Sequence, residues 1–132
     1  MVTITNATLS ITKAEGKNYK VTVECDVNFS EVELCQMQGC ERISMFKMRC
    51  WLWGADSGLF GGDDNLGTLQ EIKYFPQAGP VPVEHAIFEE TVTSGRLDED
   101  IGGDEIYAKL VLHNLSTLGF VTKKTNEVHL HA

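Results

Sequence analysis

Apolar and polar residues alternate with a period of two along most of this chain, the pattern of half-buried strands. Val2 and Ile4 share one parity while Leu9 and Ile11 take the other, so a bulge or break is expected near Asn6 and Ala7. A tight turn around Gly16 leads into the cleanest alternation. Tyr19, Val21, Val23, Cys25, Val27 and Phe29 occupy one face, and Lys20, Thr22, Glu24, Asp26 and Asn28 the other. Ser30 to Ser44 fits neither the strand nor the helix period, leaving a short helical turn and an irregular connection both open. Alternation returns over Ile43 to Trp53, with Phe46, Met48, Cys50 and Leu52 set against Lys47, Arg49, Trp51 and Trp53.

Gly54 to Gly67 holds five of the twelve glycines and reads as a long loop. Leu69 to Phe75 reads as a short strand, followed by Pro76, Pro80 and Pro82, a density that suits a sheet edge or a crossover. Over Val83 to Thr93, Ala86, Phe88 and Val92 oppose His85, Ile87 and Thr91, with Glu89 and Glu90 breaking the pattern. The acidic turn Asp98 to Asp104 then runs into a strand whose apolar set is Ile106, Ala108, Leu110 and Leu112. Gly119 to Val121 and Val128 to Leu130 supply terminal strands on either side of a polar turn around Lys123 to Asn126.

About seven strands, with no amphipathic helix of roughly 10 residues between them, exclude a parallel α/β sheet. They predict a two-sheet antiparallel sandwich, immunoglobulin-like or fibronectin-type-III-like, with a jelly roll or closed barrel as the alternative. Residues 1–132 are expected to form a single β-sandwich domain. The corner tyrosine of antibody domains does not transfer, because Tyr107 shares the parity of Lys109, Val111 and His113.

Composition narrows the partners. A hydrophobic content of 42% suffices for a core without disulfides or metal. The net charge of -8 argues against nucleic acid and anionic membranes and favours cations or basic partners. No apolar run approaches the roughly 18 residues of a spanning helix. Met1 to Ile11 lacks the basic start and apolar middle of a signal peptide, which leans the reading to the cytoplasm. Sequons at Asn6, Asn28 and Asn114 lean the other way.

The acidic turn is the first candidate for chemistry. Asp98, Asp100 and Asp104 approximate the alternate-position carboxylates of calcium loops, with glycine between them. Counted as an EF-hand loop, the turn keeps its glycine at Gly103 but has Lys109 where the closing glutamate belongs. In an immunoglobulin-like sandwich the loop at Ala55 to Asn65 emerges beside this turn, so Asp56, Asp63 and Asp64 are expected to join the cluster. Such a cluster repels itself unless it is solvated or neutralised by a divalent cation such as Ca²⁺. The plainer reading is two solvated loops that carry the protein's negative charge.

Trp51 and Trp53 form the second candidate, a flat aromatic strip suited to stacking on sugar rings or anchoring a protein interface. The plainer reading turns this face into the core, or leaves both faces partly covered, because tryptophans are mostly buried. Cys25 and Cys50 are expected as buried thiols, and Cys35 with Cys40 as the pair able to close a small disulfide loop. His129 and His131, with Glu127, share one strand face and have the spacing of a metal pair, though two exposed histidines at a chain end is the simpler account. The leading expectation is therefore a non-enzymatic binding or interaction module for a protein or carbohydrate ligand, with a divalent cation ordering its acidic loops. A structural subunit that forms a homo-oligomer through sheet edges or the aromatic face, and a small metal-dependent hydrolase using the acidic cluster, are the alternatives.

Overall fold

The structure is a computed structural model that describes residues 1–39, 44–55, 64–77, 81–97 and 104–130. In chain order the elements are β1 (Thr3–Lys13), β2 (Asn18–Asn28), α1 (Glu31–Gly39), β3 (Phe46–Ala55), β4 (Asp64–Thr68), β5 (Lys73–Phe75), β6 (Val83–Thr93), α2 (Ser94–Leu97), β7 (Asp104–Asn114), β8 (Phe120–Lys124) and β9 (Val128–Leu130). They form two antiparallel sheets packed as a sandwich, ordered β1-β2-β6 and β4-β3-β7-β8, with β5 on β3 and β9 on β7. Neither sheet closes into a barrel.

The alternation seen in the sequence is the packing code. Val21, Val23, Cys25 and Val27 of β2 meet Phe46, Met48, Cys50 and Leu52 of β3 and Ile106, Ala108, Leu110 and Leu112 of β7 in one core, all but fully buried. Phe29 stacks obliquely on Phe46 and Phe75, with ring centroids 5.2 and 6.1 Å apart. The parity change in β1 is a bulge between Thr5 and Thr8, where Asn6 takes a left-handed φ of 53° and donates to Asp26 at 2.8 Å. An asparagine tolerates that backbone better than most side chains.

Three sequence expectations change. The ambiguous segment after Phe29 becomes α1, started by a capping box: Glu33 N donates to Ser30 Oγ, and Ser30 N donates to Glu33 Oε1 at 2.8 Å. The other carboxylate oxygen of Glu33 accepts the Val2 backbone N–H, tying the chain start to the helix. Next, the span expected as one strand over Leu69 to Phe75 holds the short β5 alone, and β4 forms ahead of it, almost wholly inside the stretch expected as loop. A left-handed Gly67 (φ +101°) breaks the register against Leu52 and Trp53. Finally, Glu89 and Glu90 do not interrupt β6. Glu84, Ala86, Phe88, Glu90 and Val92 all keep the inward parity while Glu89 faces out, and Glu84 and Glu90 face in toward Gln77 and Arg96.

Those partners seal the sandwich. The two sheets share no strand, and among the described residues every backbone–backbone bond stays within one sheet or its flanking turns. On one side Arg96 of α2 binds Glu90 at 2.9 Å and also donates to the carbonyls of Leu66 (2.9 Å) and Thr68 (2.7 Å) of β4. Gln70 N donates to Glu90, and Gln77 bonds both Glu84 and the His85 carbonyl, so the connection between the sheets is tied to β6 at three points. On the opposite side Asn126 reaches Leu9, accepting from its N–H at 2.8 Å and donating to its carbonyl at 3.1 Å. Asn126 can do this because the chain leaves β7 between β8 and β9, where the Thr125 hydroxyl accepts the Ala108 N–H in place of a strand neighbour.

Replacing Arg96 by Met removes one ion-pair partner and orphans two carbonyls and the inward Glu90. The expected loss is about 2–3 kcal/mol, since breaking a half-buried pair leaves the surviving charge poorly solvated. Urea denaturation checks it, and Arg96→Lys is expected to recover only part of the loss because lysine cannot serve three acceptors in one plane.

Candidate functional site

The strands that bury Phe46 to Leu52 must present their other parity outward. On β3 this row is Lys47, Arg49, Trp51 and Trp53, and the ladder sets each opposite a residue of β7: Lys47 faces His113, Arg49 faces Val111, Trp51 faces Lys109 and Trp53 faces Tyr107. The next strand adds Phe120 beside His113, Thr122 beside Val111 and Lys124 beside Lys109. Trp51 and Trp53 thus lie on the outer face, half-buried by their neighbours, as the parity of the sequence implies. The alternative, with the tryptophans in the core, is excluded because Phe46, Met48, Cys50 and Leu52 fill it.

Charge on this face opposes that of the chain. Lys47, Arg49, Lys109 and Lys124 stand on the outward positions of β3, β7 and β8, and among the described residues Glu105 is the one carboxylate on those positions. Lys124 is engaged: its Nζ lies 4.1 Å from the Tyr107 ring centroid and 3.5 Å from Glu127. Lys47, Arg49 and Lys109 form no ion pair with the described residues. By contrast the outer face of the three-stranded sheet carries Glu24, Asp26 and Glu89 around Lys20 and His85. Hydrogen bonds from Asn6 and then His85 hold the Asp26 carboxyl below the usual range.

A groove of about 380 Å³ crosses the cationic face near the β7–β8 turn, lined by Lys47, Arg49, Trp51, His113 and Asn114 and walled by Leu115 and Leu118. A smaller one of about 160 Å³ lies on the other flank of that turn, between Val2, Glu33 and Phe120.

Only part of the expected acidic cluster falls among the described residues. Asp56, Asp63, Asp98 and Asp100 lie outside the described residues, as do Cys40 and His131. The backbones of Asp64 and Asp104 start β4 and β7 at the same end of the six-stranded sheet: Asp64 pairs with Gly54, Gly54 with Ile106, and Ala55 with Glu105. The two acidic segments therefore leave the sheet from paired positions of β3 and β7. Among the described residues no group of three His, Cys, Asp or Glu side chains is arranged to hold a metal ion. His129 sits opposite Glu105 on β7, and the histidine expected to pair with it lies outside the described residues.

The remaining candidates serve structure. Cys25 and Cys50 are buried free thiols pushed up to about 12, chiefly by burial, and Cys25 Sγ lies 3.9 Å from Met48 Sδ across the core. Cys35 is an exposed free thiol. Each sequon asparagine spends its side chain locally: Asn6 on Asp26, Asn28 on Thr5, and Asn114 on the amides of Ser116 and Thr117.

Sequence reasoning missed Glu84. It is 6% exposed, faces inward, and binds Gln77 N through one oxygen while the other is buried without a hydrogen bond. Burial raises its carboxyl above the usual range, yet Glu84 lines neither groove. Its signal was parity, since it continues the inward set of Ala86 and Phe88.

No family model matches the chain, and no curated protein matches it. Among solved structures it is similar to the X-ray structure of Northeast Structural Genomics Consortium target SoR45, at 8% identity and a TM-score of 0.42 over 98% of this chain and 84% of that one.

A carboxyl whose pKa is raised by folding favours the native state only while protonated, so ionising Glu84 costs stability as pH rises through its folded value. Glu84→Gln is expected to melt higher than wild type near neutral pH. The gap should close below about pH 4, where both states are protonated. A gap that does not vary with pH in calorimetry would refute the assignment.

Proposed function

We propose that this protein is a non-enzymatic binding module and that the outer face of its six-stranded sheet, centred on Trp51, recognises an anionic protein or carbohydrate ligand. The observation that carries the reading is three cations without ion pairs among the described residues, set around two half-buried tryptophans, in a chain whose net charge is -8. Placing like charges together has a cost that is recovered when an anion binds. Tryptophan and arginine are also the side chains that most often dominate binding energy. The sheet order β1-β2-β6 against β4-β3-β7-β8 supports an immunoglobulin-like or fibronectin-type-III-like reading, in which β4 joins the β3-β7-β8 sheet as an added strand.

Probing arrayed oligosaccharides and short peptides with labelled protein tests this. Arg49→Glu is expected to lower the signal of the binders about tenfold, whereas Lys20→Glu on the other sheet should leave it intact. Equal binding by both variants would sink the reading. Gel filtration of wild type beside Trp53→Ala decides the assembly alternative: a dimer that reverts to monomer in the variant would make the face a self-association surface.

A divalent cation between the acidic segments is the second part of the reading. It rests on their paired roots at Ala55 and Glu105. Ca²⁺ at about a hundredfold over its Kd should stabilise the protein by about 2.7 kcal/mol. Melting curves with Ca²⁺ and with a chelator check this, and coincident curves would discard the cation.

A further inference from the structure

Resting on the reading of the cationic face, we infer that its ligand is an acidic polypeptide segment that seats an apolar side chain in the groove between Trp51 and the β7–β8 turn. The argument begins with the turn. Leu115 and Leu118 are 44% and 84% exposed, and Phe120, just beyond them, is 63% exposed. These are not loose residues. Asn114 Oδ1 accepts the amides of Ser116 and Thr117, Leu118 N donates to the Asn114 carbonyl at 2.9 Å, and Asn114 N donates to Gly119 O at 2.8 Å. Leu115 N is anchored on Met45 O at 2.8 Å. The turn holds Leu118 outward at a left-handed φ of 65°, a backbone that leucine rarely adopts. An apolar wall fixed in place before binding loses little freedom when a ligand arrives.

The floor of the groove supplies the charge. Lys47 and Arg49 stand two residues apart on β3, about 7 Å along the strand. That is also the spacing of alternate side chains on an extended peptide, so two carboxylates of one segment can meet both cations while an intervening apolar residue packs against the leucines. An oligosaccharide fits less well. Its carboxylates would satisfy Lys47 and Arg49 and its rings would stack on Trp51, but Leu115 and Leu118 would desolvate hydroxyl groups and return no hydrogen bonds. The leucine wall therefore favours polypeptide over glycan.

Selection from a random short-peptide display library, followed by fluorescence polarisation of the enriched peptides, tests this inference. The expected result is a consensus of acidic residues flanking Leu, Phe or Trp, with affinity that falls as salt rises. Affinity should drop at least about tenfold in Lys47→Glu/Arg49→Glu and about fivefold in Leu118→Ser. Each variant is to melt with the wild type, and Leu115→Ser replaces Leu118→Ser if the latter does not. Enrichment of peptides without carboxylates, no enrichment at all, or binding indifferent to the leucine substitution would overturn it. Polygalacturonate oligomers form the parallel arm. If they bind in an Arg49-dependent way and peptides do not, the face remains a recognition surface and only the polypeptide assignment falls. If neither arm depends on Arg49, both fall.

Discussion

Two sheets that share no strand leave a seam along each side of the sandwich, and in this protein side chains close the seams. Apolar burial between the sheets supplies the driving force, but it cannot satisfy the outward N–H and C=O groups of edge strands. Each such group left dry costs roughly 1–3 kcal/mol. Arg96 meets two β4 carbonyls from α2, Gln77 meets β6, and Asn126 presents to Leu9 the acceptor and donor that a neighbouring strand would have offered. An asparagine standing in for a strand also blunts the edge of β1 as a template for another chain. Assembly through sheet edges accordingly draws less support from the structure than recognition through the outward face.

The parts of the fold that follow from parity were legible in the sequence, because one face of every long strand is buried and the side-chain period of a strand is two. Residues 19–29, 46–53 and 106–112 were readable for that reason, and so was the bulge at Asn6. What escaped was set by single side chains rather than by a period. The helix α1 has almost no amphipathic pattern, but Ser30 and Glu33 carry a capping box that would have announced its start. Glu90 looked like a defect in β6, and Glu84 went unremarked, because an inward carboxylate makes sense only once Arg96 and Gln77 are known to lie across from it. The register break inside β4 turns on the left-handed Gly67, whose missing Cβ also leaves room for Arg96: a Cβ there would stand 3.1 Å from its guanidinium.

The candidate site divides the same way. Trp51 and Trp53 could be assigned to the face opposite Phe46, Met48, Cys50 and Leu52 by counting alone. Their surroundings could not, because Lys109, Lys124 and Tyr107 come from β7 and β8 and reach the tryptophans only through the register. Leu115 and Leu118 gave no periodic signal at all, being residues of a turn. The acidic segments were conspicuous in the sequence, and the ladder shows that they leave β3 and β7 side by side.

The position of the proposed binding face follows from the way stability is distributed. Phe46, Met48, Cys50 and Leu52 fill the core from one side of β3, and Lys47, Arg49 and Trp51 stand on the other side, outside that core. A binding surface on a central strand is held by ladders on both sides, here β4 with β5 on one flank and β7 on the other. It therefore keeps its spacing better than one built on a loop. The sign of its charge matters as much as its rigidity. In a chain of net charge -8 a random outward face would be acidic, as that of the three-stranded sheet is. Long-range repulsion would then slow the approach of an anionic ligand from most directions, while the local cations draw it toward the groove beside Trp51. Under the proposed function, orientation would be set by the contrast between the two faces before any contact with the leucine wall is made.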